Sequence, residues 1–109
     1  MPKNIIGEFE ELVLLAILKI GEGAYGVPIM EALEEATHRT VAVGALYTTL
    51  ERLEEKGLVS SRKGEPTAER GGRAKKYFHV EAPGLRALRE AEMARAHLRA
   101  GLDPAVVGG

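Results

Sequence analysis

Tyr47, Thr48 and Arg52 stand close enough in the chain to share one side of a helix and to offer three different hydrogen-bonding groups there. A threonine hydroxyl can bond a base edge or a phosphate, and a tyrosine hydroxyl can reach a phosphate. A guanidinium offers a fork to guanine or to phosphate oxygens. Gly44 and Ala45 precede them and are small, so a partner surface could come close. Glu51 has the wrong sign for a phosphate neighbour, and is expected to pair with Arg52 or to accept from a cytosine amino group. Thr, Glu and Arg are also ordinary on a solvated helix, so these residues acquire meaning only from the segment C-terminal to them.

That segment is basic. Between Arg62 and Lys76, six basic residues (Arg62, Lys63, Arg70, Arg73, Lys75 and Lys76) outnumber Glu65 and Glu69. The segment carries +4 in a chain of net charge −1, which leaves −5 for the remainder. A basic tip on an acidic body points to one localised anion site. DNA backbone is the obvious candidate, with Lys63, Arg70, Arg73, Lys75 and Lys76 as its contacts. A hairpin whose charges merely keep its edge soluble explains the charge alone equally well.

Other chemistries find little support. His38, His79 and His97 are scattered, without metal-ligand spacing. Ser60-Ser61 lacks the context of a nucleophile elbow, Gly71-Gly72 is too short to cradle a phosphate, and the glutamates form no acid–base pair. There is no Cys, which removes disulfides and thiolate metal sites. No enzyme activity, cofactor or metal is expected. The longest apolar run, 12–18, falls short of the roughly 20 residues a membrane span requires. The N-terminus has no apolar signal segment. A cytoplasmic protein without membrane contact is the expectation.

These side chains need a frame. Helical spacing predicts a first helix over 8–20, with Glu8, Glu10 and Glu11 in its first turn and Lys19 in its last, as the helix dipole favours. Gly21 stops it. A second helix is expected over 25–36, with Pro28 tolerated near its start. After a turn at 37–40 comes a third helix over 43–56. Its Leu46, Leu50 and Leu53 point to the core, and Gly57 is placed as the C′ residue. Strands succeed it at 58–63 and 73–80 around a polar tip, then a last helix over 83–100 that opens with Pro83. The expected fold is mainly α with a small β-hairpin: a winged helix-turn-helix plus a C-terminal dimerisation helix. Its 109 residues form one unit, divided into a DNA-binding part, 1–82, and a pairing helix with its tail, 83–109.

Two helices carry more apolar surface than one small core can use. The first is apolar nearly all round, whereas a surface helix needs one stripe. It should be sandwiched between its own core and a second subunit, with Leu14, Leu15 and Leu18 at the junction. The last helix has a narrow Ala-rich stripe that includes Leu88, Ala91, Ala94 and Leu98, suited to close helix approach. A homodimer is therefore expected. One module buries only about 600–1,000 Å² on DNA. Pairing two doubles the footprint and makes the site palindromic.

As a set, several short motifs resemble the PadR family of transcriptional regulators over roughly residues 8–90. They are Tyr25-Gly26; Leu46-Tyr47 with Thr49-Leu50; Arg52-Leu53-Glu54; Lys56-Gly57-Leu58; Arg73; Lys75-Lys76-Tyr77-Phe78; and Gly84 with Ala87-Leu88. The resemblance implies a winged-helix dimer, usually a repressor, with the third helix in the DNA groove and the last helix exchanging contacts across the dimer. The family's recognition-helix tyrosine maps onto Tyr47. Thr48 stands where the family commonly has proline, Val27-Pro28 replaces its aromatic-acidic pair, and Glu81-Ala82-Pro83 replaces its Thr-Glu-Ala. Some relatives hold phenolic acids or flat drugs between subunits, so a small-molecule effector belongs among the expected partners. No Trp and only two Phe give an aromatic-stacking pocket little material.

The functional expectation is a sequence-specific, double-stranded-DNA-binding regulator, a homodimeric repressor on an inverted repeat. The alternative is a winged helix used as a protein–protein adaptor, which the acidic body and Glu51 favour and the basic hairpin, Tyr47 and Arg52 oppose.

Overall fold

Helix α1 (Glu8–Ile20) starts where Glu10 folds back to accept the Gly7 N–H at 2.8 Å, half of a capping box whose other half glycine cannot supply. It ends at Gly21, whose φ of +83° favours glycine. A short 3-10 turn (Gly21–Gly23) and extended residues lead to α2 (Gly26–Thr37). The structure, a computed structural model, describes residues 5–64, 75–103 and 105.

The junction between α2 and α3 (Val43–Glu55) is tied by side chains from α2. His38 takes a left-handed conformation, with φ +58°, and donates its N–H to the Glu34 carbonyl. The Glu34 carboxylate then accepts the Val41 N–H at 2.7 Å. At the other end of α3, the Gly57 N–H reaches the Glu54 carbonyl and the Leu58 N–H reaches the Leu53 carbonyl. These bonds make a Schellman motif with Gly57, φ +75°, at the expected C′ position.

Strands β1 (Val59–Lys63) and β2 (Lys76–Val80) pair antiparallel, Val59 opposite Val80 and Lys63 opposite Lys76. The Phe78 N–H also donates to the Ala24 carbonyl at 2.8 Å, which fastens β2 to the extended chain before α2. Helix α4 (Ala82–Arg99) begins against the hairpin: the Glu81 N–H donates to the Leu58 carbonyl, and Gly84 lies so close to that carbonyl that a Cβ would not fit. Glu81 does not cap the helix; its carboxylate accepts the Ser60 hydroxyl instead. The expected elements are all present, with ends displaced by one residue and β2 beginning at Lys76. The expected tip, 65–72, and the first two expected residues of the second strand, 73–74, lie outside the described residues.

The core gathers Val13, Leu14 and Ile17 of α1, Ile29 and Leu33 of α2, Leu46, Leu50 and Leu53 of α3, Phe78 and Val80 of β2, and Ala87 and Leu88 of α4. Two expectations are corrected here. Leu14 and Leu88 are 0% and 7% exposed, so both are spent in the protomer's own core and have no surface for a second copy. The cause is that α1 is wrapped by α2, α3, β2 and α4 at once, so its buried arc is wider than one stripe. Leu15 and Leu18 do remain exposed. Beyond Leu88, α4 leaves the body, and from Glu92 to Arg99 every residue is exposed. Met93 and Leu98 show 64% and 75% of their surface. Along this stretch Arg95 returns to α1, making a two-pronged ion pair with the buried carboxylate of Glu11.

Candidate nucleic-acid interface

The inward leucines of α3 leave Gly44, Ala45, Tyr47, Thr48, Glu51 and Arg52 exposed on the opposite side. Tyr47 is not free to wander. Its hydroxyl lies against Gly26, the first residue of α2, where a Cβ would collide with the phenol. This contact explains the Tyr25-Gly26 pair: only glycine lets the exposed face of α3 rest on the start of α2. Glu51 and Arg52 do not pair with each other as expected.

On the hairpin, Lys63, Lys75 and Lys76 are exposed, whereas Arg70 and Arg73 lie outside the described residues. The three lysines do not share one face. Lys76 alternates with Phe78 and Val80 on the side facing the core, and its ammonium lies 3.4 Å from the Glu54 carboxylate at the end of α3. The Ser61 hydroxyl, donating to Glu54 at 2.6 Å, and then Lys76 hold that carboxyl below its ordinary value. Lys76 thus already has a counter-charge. Lys56 likewise bonds Glu10 at 2.9 Å. Burial pushes the Glu10 carboxyl up, but the Gly7 amide, Lys56 and Arg52 together bring it below the ordinary value.

Lys75 belongs to the other face. Its ammonium sits 4.4 Å from the ring centroid of Tyr25 and 3.4 Å from that residue's hydroxyl. Tyr25 meets Tyr77 edge to face, with centroids 5.7 Å apart. The Arg62 guanidinium lies 4.9 Å above the Tyr77 ring. A continuous strip therefore runs from Tyr47 on α3, over Gly26 and Tyr25 at the start of α2, to Lys75, Tyr77 and Arg62 on the hairpin. From sequence, Arg62 is one basic residue among six, and Tyr25 and Tyr77 have no site role. The one signal available there is the recurrence of aromatic residues beside Gly26 and Lys76.

Among the described residues no group of His, Asp or Glu could hold a metal ion, and no helix is long and apolar enough to cross a membrane.

A recognition-type helix beside a two-stranded wing defines a winged helix-turn-helix regulator. The family model described as the transcriptional regulator PadR-like family matches residues 14–90, and the chain belongs to that family. Its function is transcriptional regulation rather than catalysis. Solved structures agree. A PadR-like transcription factor from Bacteroides fragilis is 28% identical, with a TM-score of 0.68, over 84% of this chain and 82% of that one. A Streptococcus transcriptional regulator is 26% identical, with a TM-score of 0.66, over 83% of each chain. A PadR-like transcriptional regulator from Bacillus cereus, 23% identical, shares the fold with a TM-score of 0.67 over 93% of this chain and 92% of that one. No curated protein matches the sequence.

Proposed function

We propose that this regulator binds double-stranded DNA as a homodimer and represses transcription from an inverted repeat. The strip that joins the outer face of α3 to the wing carries the reading. It puts groups suited to base edges (Thr48, Arg52) and groups suited to phosphates (Tyr47, Lys75) on one connected surface. Lys63, Arg70 and Arg73 extend the proposed contact set, Lys76 joins it only by giving up its pairing with Glu54, and Gly44 and Ala45 let α3 sit close to the duplex.

The proposed division of labour runs along the chain: residues 1–82 bind DNA and 83–109 pair the subunits. Leu15 and Leu18 of α1, with Ala91, Ala94 and Leu98 of α4, form the pairing surface, and the exposed Met93 extends it. A second copy would cover the end of α4 that the protomer leaves bare. An effector would act by changing the angle between paired α4 helices. The cleft between α1 and α4, about 490 Å³, is lined by Glu8, Glu11, Leu12, Glu92, Arg95, Ala96 and Arg99. That lining suits a polar or charged ligand better than a flat aromatic one.

Selection of bound sequences from a random duplex library tests the reading. An enriched inverted repeat is the expected result. Absence of enrichment at low salt would overturn it in favour of the protein–protein adaptor.

A further inference from the structure

The side of the hairpin that faces away from the core is held together by rings. Along β2, Phe78 and Val80 are buried, while Tyr77 and His79 point the other way. Tyr77 is fixed from three directions. Tyr25 meets it edge to face at an interplanar angle of 74°, Arg62 stands over its ring, and Gly64 lies so close that a Cβ would strike the ring. The Gly64 N–H donates to the Lys75 carbonyl at 2.7 Å, so the strands are still joined at the level where Lys75 emerges. Tyr25 is in turn anchored by its place at the start of α2, next to the Ala24 carbonyl that receives the Phe78 N–H.

Two cations are held by this pair of rings, Lys75 on Tyr25 and Arg62 on Tyr77. The means of holding them decides what they can still do. A carboxylate neutralises a cation, as Glu54 does for Lys76. A ring face attracts a cation through its quadrupole but carries no net charge, and it leaves most of the N–H donors free. A cation held this way is placed and remains available to an anion. Lysine and arginine ordinarily lose rotamer freedom on docking, and side chains already held lose less.

We propose that Tyr25 and Tyr77 are positioning residues that hold Lys75 and Arg62 as a preset pair of cations for DNA phosphates at the base of the wing. Arg62 thereby joins the contact surface. The proposal rests on the DNA-binding reading and adds to it how the wing is aimed.

The experiment uses the full chain and mixed-sequence duplex DNA over a range of salt. The variants are Tyr25→Phe, Tyr77→Phe, Tyr25→Leu, Tyr77→Leu and Arg62→Gln. The leucine variants should bind about tenfold more weakly at low salt, with the salt slope reduced by about 1 for each phosphate no longer neutralised. Arg62→Gln should reproduce the fall in slope. The phenylalanine variants keep both ring faces, Tyr25→Phe giving up only the long 3.4 Å contact from Lys75 to the hydroxyl, and should stay within about twofold of the parent. In the unliganded protein, the Lys75 ε-methylene protons should be shifted upfield by the Tyr25 ring in the NMR spectrum, and should lose that shift in Tyr25→Leu. Leucine variants that bind like the parent would overturn the clamp. So would weaker binding at an unchanged salt slope, phenylalanine variants as weak as the leucine ones, or a parent with no upfield shift. A parent that binds no duplex at low salt brings down the DNA-binding reading as well, whereas a parent that binds while its variants do not differ brings down the clamp alone.

Discussion

Glu10 and Glu54 are helix carboxylates of a kind the sequence offers in abundance, yet these two do structural work that spacing does not reveal. Glu10 ties the start of α1 to Lys56 at the end of α3, and Glu54 ties α3 to both strands through Ser61 and Lys76. Both carboxyls lie below their ordinary value of 4.5 when the chain is folded, so the unfolded chain takes up protons more readily. Their contribution is therefore complete above that value and is lost as the pH falls through the folded values. Urea midpoints measured on either side of pH 4.5 should fall on the acid side, and Glu54→Gln should make that fall shallower. Lys56→Met should cost about 1–2 kcal/mol at neutral pH by leaving Glu10 with one fewer donor, at the low end for a charged hydrogen bond because the lysine is partly exposed. Gly26 makes a different kind of prediction. Alanine at an ordinary helix position would gain up to about 1 kcal/mol over glycine. Here the Tyr47 hydroxyl occupies the space, so Gly26→Ala should instead destabilise by about 1–3 kcal/mol. Tyr47→Phe in the same background should recover part of that loss, and a denaturation cycle over the four proteins measures the coupling.

At the scale of elements, α4 separates what the sequence could tell from what it could not. Its first two turns are core, held down by Ala87, Leu88 and the tight approach of Gly84 to the Leu58 carbonyl. Its last two turns are bare except for the Arg95–Glu11 pair. If a second copy covers them, a charge there is expelled. Met93→Glu with Leu98→Glu should convert dimer to monomer in sedimentation and make Tm independent of concentration, while leaving the monomer's hairpin and core intact. A variant that stays dimeric would place the pairing surface elsewhere. The order of helices, the wing and the Gly57 stop were legible because each arises from local rules: apolar spacing, a C′ glycine, alternation along a strand. The assignment of Leu14 and Leu88 to a dimer face failed because periodicity shows that a residue points to something apolar, but not whose core that is. The Tyr47–Gly26 contact and the Tyr25–Tyr77 pair were illegible for a related reason. Each joins elements distant in the chain, and no local pattern encodes the approach. His38 in a left-handed conformation at the end of α2 was visible only as part of a turn.

The whole molecule sets a basic wing segment against an acidic remainder, +4 against −5. A uniformly basic protein would adhere to DNA in many orientations, whereas in the proposed complex this distribution would favour approach wing first and disfavour the rest of the body. In the proposed dimer the arrangement is doubled, and the salt dependence of binding becomes a count of wing contacts. Each neutralised phosphate contributes about 0.9 to the slope of log K against log salt. Arg70→Ala with Arg73→Ala removes two side chains per protomer, four per dimer. If all four touch phosphates, the slope should fall by about 3–4, and affinity should drop by a similar factor on the selected operator and on unrelated duplexes. Arg52→Ala on α3 should behave oppositely, weakening the operator by about 1–3 kcal/mol while barely changing nonspecific binding. Fluorescence anisotropy titrations of both variants on both duplexes separate the two roles. Loss confined to one base position in the Arg70/Arg73 variant would mean that the wing reads sequence. An equal loss on all duplexes for Arg52→Ala would reduce α3 to a phosphate contact and move selectivity to DNA shape.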